Sequence, residues 1–212
     1  MSFAYPVMLE VRGRRCVVIG GPAIREGKVE GLLAAGADDV LVVAEGADDR
    51  FAGLREVSVE RRAWRPADLD GTFLVIGSSG DAATRAAIAR EARARGALVN
   101  VMDDVPNCDW AAPAVVRRGD LVLAVGTGGV SPAVARLIRE RLEESFDPAW
   151  AELLRIVGEI REETLGALPV FAERARRWRR ALDLDEAIEL VREGRPTELR
   201  SRLRSRLLAE AS

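Results

Sequence analysis

The chain has 212 residues, 48% of them hydrophobic and 31% charged, with a formal net charge of −2. That composition suits one large globular domain, or one domain with a smaller companion, holding enough apolar material for a buried core. It argues against a disordered chain and against an overall basic field for nucleic acid, and no apolar run approaches the roughly 18 residues needed to span a bilayer.

In chain order, the run 14–19 (RRCVVI) predicts a buried parallel strand. Gly20-Gly21-Pro22 follows as a turn, with Pro22 suited to the first turn of a helix. Ile24, Val29, Leu32 and Leu33 form the apolar stripe of that helix, and Gly36 closes it. Residues 40–44 (VLVVA) predict a second strand, and Val57 to Val59 a short one. Residues 73–76 predict another central strand, leading into Gly77-Ser78-Ser79-Gly80. An Ala/Arg-rich helix over 82–95 stops at Gly96, and the strand 98–102 runs into Asp103 and Asp104. Strands alternating with helices predict βαβ units and a Rossmann-like α/β domain with a parallel sheet. Beyond Asp104 the pattern changes. Val115-Val116, the polar turn Arg117-Arg118-Gly119-Asp120 and the run Leu121 to Val125 predict a hairpin. Ser131 as N-cap and Pro132 at the first helical position start a helix to Ser145. From Pro148 onward the chain reads as helix, with breaks at 166–169 and 194–196.

There are two cysteines, Cys16 and Cys108, and no histidine. Ser-His-Asp and Cys-His catalysis and His-based zinc sites are therefore excluded within the chain. Proton transfer falls to carboxylate, Lys, Tyr or water. Two widely spaced cysteines behind a start that lacks an apolar leader predict reduced thiols and a cytoplasmic protein.

Open α/β sheets bind ligands at the carboxyl ends of their strands, and the candidate residues cluster there. Gly20-Gly21-Pro22, with Ala23 and Ile24 in the first helical turn, offers a helix N-terminus for a phosphate. A full G-x-G-x-x-G/A pattern would place Gly at 22 and a small residue at 25, where this chain has Pro22 and Arg25, so an ordinary βα turn stays open. Glu45 follows the second strand, in reach of ribose hydroxyls. Ser78 and Ser79 leave room and hydroxyls for the same ligand, and Val101 joins the group from the neighbouring strand. Asp103 is the candidate general base or metal ligand, with Asp104 beside it to raise its pKa by like-charge repulsion; a pair of loop-capping aspartates is the plainer alternative. Cys108 reads as a small buried residue and Trp110 as core or interface. Thr127-Gly128-Gly129 before Ser131 lets backbone N–H groups approach an anion, or simply turns the chain. Arg117, Arg118, Arg136 and Arg139 flank that block; Arg suits bidentate carboxylate recognition, and surface charge is the alternative for each. The arginines between Arg174 and Arg180 read as a solvated helix face carrying Glu/Arg pairs.

In order, YP-x-M-L, VVIGG, K-V-x-G-LL-x-AGA, F-L-V-I, VNVMD, C-D-W-x-x-PA and TGG-x-SP-x-x-A-R-x-x-R-E-x-L-E resemble the precorrin-2 dehydrogenase/sirohydrochlorin ferrochelatase family, the N-terminal module of siroheme synthases. The likeness spans about residues 3–145. Lys28, Asn100, Asp103, Pro113, Gly128, Gly129, Ser131 and Pro132 match its pattern. The resemblance implies a Rossmann-like NAD-binding domain over 1–112, a dimerisation segment over 113–147 and a helical domain over 148–212. It implies NAD-dependent removal of two hydrogens from precorrin-2, giving sirohydrochlorin, by a homodimer; in some members the same site also inserts Fe²⁺. Asp103 falls on the catalytic carboxylate. Asn100, Arg117, Arg118, Thr127, Gly128, Gly129, Ser131 and Arg136 are then expected at the carboxylate-rich substrate, and Glu45 favours NAD over NADP. Pro22, Arg25, and Ser78-Ser79-Gly80-Asp81 with Arg85 depart from the family pattern, all in the cofactor half. Two other readings stay open: a chelatase with weak or lost NAD binding, and a non-catalytic tetrapyrrole-binding protein.

Overall fold

A computed structural model describes residues 5–20, 22–46, 50–51 and 53–209. Gly21 lies outside them, as do the side chains of Pro22, Ala23, Ile24 and Arg25. The chain divides into two compact units, Met1–Ala112 and Pro113–Ser212.

In the first unit, β1 (Cys16–Ile19), β2 (Val40–Val43), β3 (Val57–Glu60), β4 (Leu74–Gly77) and β5 (Leu98–Val101) form one parallel sheet in the order β3-β2-β1-β4-β5. The chain passes from β1 outward to β3, then returns to the other side of β1 with β4, so the order reverses between β1 and β4. Because successive strand side chains alternate between faces, each strand feeds two cores. Val17, Ile19, Leu41, Val43, Val75, Val99 and Val101 pack with Ile88, Ala89 and Ala92 of α2 (Ala82–Ala94). Cys16, Val18, Val40, Val42, Leu74 and Ile76 pack with Val29 and Leu32 of α1 (Pro22–Ala34). Both helices stop where a glycine takes up a left-handed backbone, Gly36 at φ +88° and Gly96 at φ +75°. Asp81 caps α2, its carboxylate accepting from the Thr84 N–H at 2.7 Å.

β5 stands at the edge of the sheet, and the Cys108-Asp109-Trp110 segment covers it. The Asp109 N–H donates to the Val99 carbonyl at 2.7 Å, and its carboxylate accepts from the Val99 N–H at 3.1 Å. Asn100 donates through Nδ2 to the Trp110 carbonyl at 2.8 Å. This pairing satisfies backbone groups that an open edge would expose.

In the second unit, β6 (Ala114–Arg118) and β7 (Leu121–Val125) form an antiparallel hairpin turned at Gly119, φ +57°. α3 (Pro132–Ser145) follows, capped as expected by Ser131, whose Oγ accepts from the Val134 N–H at 3.2 Å. The tail forms α4 (Ala149–Thr164), α5 (Phe171–Ala181), α6 (Leu184–Arg192) and α7 (Pro196–Leu208). Leu153, Ile156, Ile160, Ile188, Leu199, Leu203 and Leu207 make its core. The expected breaks near 166–169 and 194–196 are present, and a third falls at Leu182-Asp183, where Asp183 caps α6 through the Asp185 and Glu186 N–H groups. No helix among the described residues is long and apolar enough to cross a membrane.

Candidate active site

The carboxyl edge of the parallel sheet collects the candidate residues of the first unit. Gly20 ends β1 at φ +135°, a backbone that L side chains rarely adopt. A Cβ there would lie 2.9 Å from the Ser78 carbonyl oxygen and 3.1 Å from the Ser78 Cβ. The turns leaving β1 and β4 therefore touch through bare backbone at the point where strand order reverses, beside the start of α1 at Pro22. Such a glycine cradle, which brings main chain against main chain with no side chain in the way, fits a group that must lie against main chain, as a dinucleotide pyrophosphate does. Ser78 and Ser79 are half-buried there, and Glu45 is exposed just past β2. Gly77 serves packing instead: a Cβ on it would meet Ile88 Cγ2 at 2.9 Å.

Val101, a candidate cofactor residue, ends β5 within the core at 1% exposed, and the Cys108 thiol occupies its peptide groups, accepting from its N–H at 3.2 Å and donating to its carbonyl at 3.0 Å.

Asp103 is exposed and has φ +58°, the one non-glycine residue with positive φ among those described. Asp tolerates the left-handed region better than most residues, but such positions persist where neighbours hold them. Those neighbours are visible. Asp104 donates its N–H to the Val101 carbonyl, and its own carbonyl accepts the Asn107 N–H at 2.9 Å. The Asp104 carboxylate accepts from Asn107 Nδ2 at 3.0 Å and from Arg85 Nε at 3.2 Å. Asn107 and Arg85 hold that carboxyl below the usual carboxylate range. The charge expected to act on Asp103 by repulsion is thus engaged by a cation and an amide.

Asn100 uses its amide to fasten the Trp110 carbonyl, so it braces the β5 edge. Burial pushes the Cys108 thiol above its ordinary value, in line with a structural cysteine rather than a nucleophile.

In the second unit, Thr127 Oγ1 donates to the Ser131 carbonyl at 3.1 Å and accepts from the Ser131 N–H at 3.2 Å. Gly128 at φ +61° and Gly129 at φ +83° carry the chain through the turn between, both exposed. Arg117 is exposed on β6. Arg118 departs from its expected role: Nε donates to the Phe146 carbonyl at 2.7 Å and a terminal nitrogen to the Glu143 carbonyl at 3.2 Å. It caps the C-terminus of α3, where a cation meets free carbonyls and the negative end of the helix dipole. Arg136 is 76% exposed and paired to Glu140 at 2.9 Å, one helical turn on. Arg139 pairs likewise with Glu143. Both pairs lie along α3.

Two residues bearing on the site escaped the sequence reading of function. The sequence marks Arg85 only as a departure from the family pattern and Cys108 only as a small buried residue. Both act across loops, on partners that local spacing does not name.

Comparison with known proteins agrees with this layout. A family model described as "Putative NAD(P)-binding" matches residues 7–114, more than half of the chain, and one described as "Sirohaem biosynthesis protein central" matches residues 118–145. Siroheme synthase of Methylococcus capsulatus is 33% identical over 98% of this chain and 43% of its own length. That of Chromobacterium violaceum is 33% identical over 97% of this chain and 44% of its own. The chain thus spans under half the length of these relatives. The solved structure of "SirC, precorrin-2 dehydrogenase" superposes with a TM-score of 0.72 at 24% identity, covering 94% of this chain and 98% of that one, which establishes the fold. By its NAD(P)-binding region and the central segment that follows, this chain belongs to the siroheme synthase family.

Proposed function

We propose that this chain is an NAD-dependent dehydrogenase that converts precorrin-2 to sirohydrochlorin. The observation that carries the reading is the Gly20–Ser78 approach, a backbone cradle at the strand-order switch with no room for a Cβ on Gly20. Gly20, Gly21, Ser78 and Ser79 would hold the dinucleotide phosphates and neighbouring ribose, and Glu45 would accept from the adenosine ribose hydroxyls. An acid at that place disfavours a 2′-phosphate, which selects NAD over NADP. When bound, NAD⁺ supplies a hydride acceptor.

The chain supplies the rest. Losing two hydrogens as hydride and proton requires a base, and Asp103 stands exposed at the end of β5 to take the proton on its carboxylate. The left-handed backbone at Asp103 sets the direction of that side chain. The resemblance places Asn100, Arg117, Arg118, Arg136 and the turn Thr127 to Ser131 at the carboxylate-rich substrate. Arg118 is left out of this set because its guanidinium holds the C-terminal carbonyls of α3; Arg136, in an exposed pair, stays in it.

A homodimer fits the second unit. Val130, Val134, Leu137 and Ile138 are 87%, 47%, 59% and 39% exposed, an apolar stripe at helical spacing on and before α3. Pairing that stripe with its own copy would cover it. Two buried free thiols suit a reducing compartment, and with it the cytoplasm.

The test is spectroscopic. Purified protein with precorrin-2 and NAD should produce the sirohydrochlorin spectrum together with NADH. If neither appears while a known dehydrogenase converts the same preparation, the reading is wrong. Calorimetry with NAD separates it from the chelatase alternative, which predicts weak or no binding where the dehydrogenase binds at micromolar concentration.

A further inference from the structure

The turns after β4 and β5 are joined by one side chain. Arg85, on the first turn of α2, donates through Nη1 to the Ser79 carbonyl at 2.8 Å and to the Gly80 carbonyl at 3.3 Å. Through Nε it donates to Asp104 Oδ2 at 3.2 Å. The pair is well enclosed, with side-chain exposures of 23% and 15%. On one side of this bridge lies the turn that meets Gly20; on the other lies the residue next to Asp103, in the only left-handed non-glycine turn among the described residues.

Only a guanidinium makes this bridge in full. It is planar, keeps its charge, and places several donors at fixed angles, so one group binds two carbonyls and a carboxylate at once. A lysine would offer its donors from a single nitrogen, and an amide would lack the charge. Two loops cross-linked this way lose the independent motion that separate loops have.

We propose that Arg85 is a positioning residue that couples the Ser78–Gly80 cofactor turn to Asp103 through Asp104, so that occupation of one turn orders the other. The proposal rests on the NAD-binding reading above and adds a residue to it. Arg85 touches neither substrate nor cofactor in this scheme; it acts through the peptide carbonyls and Asp104.

A double-mutant cycle with hydrogen exchange tests this on the full chain. Arg85→Gln, Asp104→Asn and the double variant are titrated with NAD by calorimetry, and exchange is followed in peptides covering 78–80 and 102–107. Each single variant should weaken NAD binding about tenfold, the scale of one charged hydrogen bond, and the double variant should lose little more than either single one. In the wild type, NAD should slow exchange in both turns; in Arg85→Gln it should slow exchange in 78–80 alone. Arg85→Lys should restore part of the affinity. A purely structural arginine would lower the melting temperature and leave the response of 102–107 to NAD intact, and that result overturns the proposal. So do additive losses in the double variant. Failure of the wild type to make sirohydrochlorin, with coupling present, would instead remove the dehydrogenase reading and leave Arg85 in its role.

Discussion

Replacing Gly20 by Ala tests the cofactor cradle most directly. The methyl group would sit 2.9 Å from a backbone carbonyl and 3.1 Å from the Ser78 Cβ, on a residue at φ +135°. Holding a non-glycine residue in that backbone costs about 1–3 kcal/mol. Overpacking against main chain that is itself tied into the sheet, since the Ser78 N–H donates to the Ile19 carbonyl at 2.9 Å, adds about 1–3 kcal/mol. The sum is about 2–6 kcal/mol. For a unit the size of Met1–Ala112, with an unfolding entropy of about 2 cal/mol/K per residue, that lowers the melting temperature by about 9–27 °C. Gly77→Ala is the control. Its new methyl meets the Cγ2 methyl of Ile88, a side chain, at a backbone without positive φ, so about 1–3 kcal/mol of overpacking is its whole cost. Scanning calorimetry gives both values, and NAD titration of whatever remains folded gives the second readout. Gly20→Ala should lose NAD affinity well beyond Gly77→Ala. A Gly20→Ala variant that melts with the wild type, or binds NAD as tightly, would refute the cradle.

Asp103→Asn should fold normally, because Asn accepts the left-handed backbone, while turnover falls by about 100-fold or more in a stopped assay with precorrin-2; Asp103→Ala should add a stability loss of about 1–2 kcal/mol. Arg118→Ala should destabilise the second unit by about 1–2 kcal/mol, read by urea unfolding, through two carbonyls left without their donor, and leave the KM for precorrin-2 nearly unchanged. Asp68 is 8% exposed, and the Arg62 guanidinium and the Arg65 N–H hold its carboxyl below the ordinary 3.8. A depressed folded-state value means the stabilisation is complete above 3.8 and is lost as pH falls from there through the folded-state value. Melting temperatures of the wild type and Asp68→Asn should therefore differ at neutral pH and converge in strong acid; a constant gap across that window would show that the pair is not the cause.

The order of strands and helices was legible from the residues because it rests on local pattern. Short β-branched runs bounded by Gly and Pro, and apolar residues at helical spacing, carry their signal within one element. The same holds for Gly36 and Gly96 as helix stops, for Ser131 as a cap, and for Asp103 at a strand end. What tertiary structure decided is which partners each polar group found. Arg118 reaches Phe146, 28 positions away, and Arg85 reaches Asp104, 19 away. Cys108 and Val101 satisfy each other across a turn. Nothing in the local spacing of an arginine says whether it will meet a carboxylate, a carbonyl or a ligand, because that depends on which elements fold beside it. The left-handed backbone of Asp103 belongs to the same class. Its identity and place at the end of β5 are written in the chain, while its conformation comes from the bonds that close the turn around it.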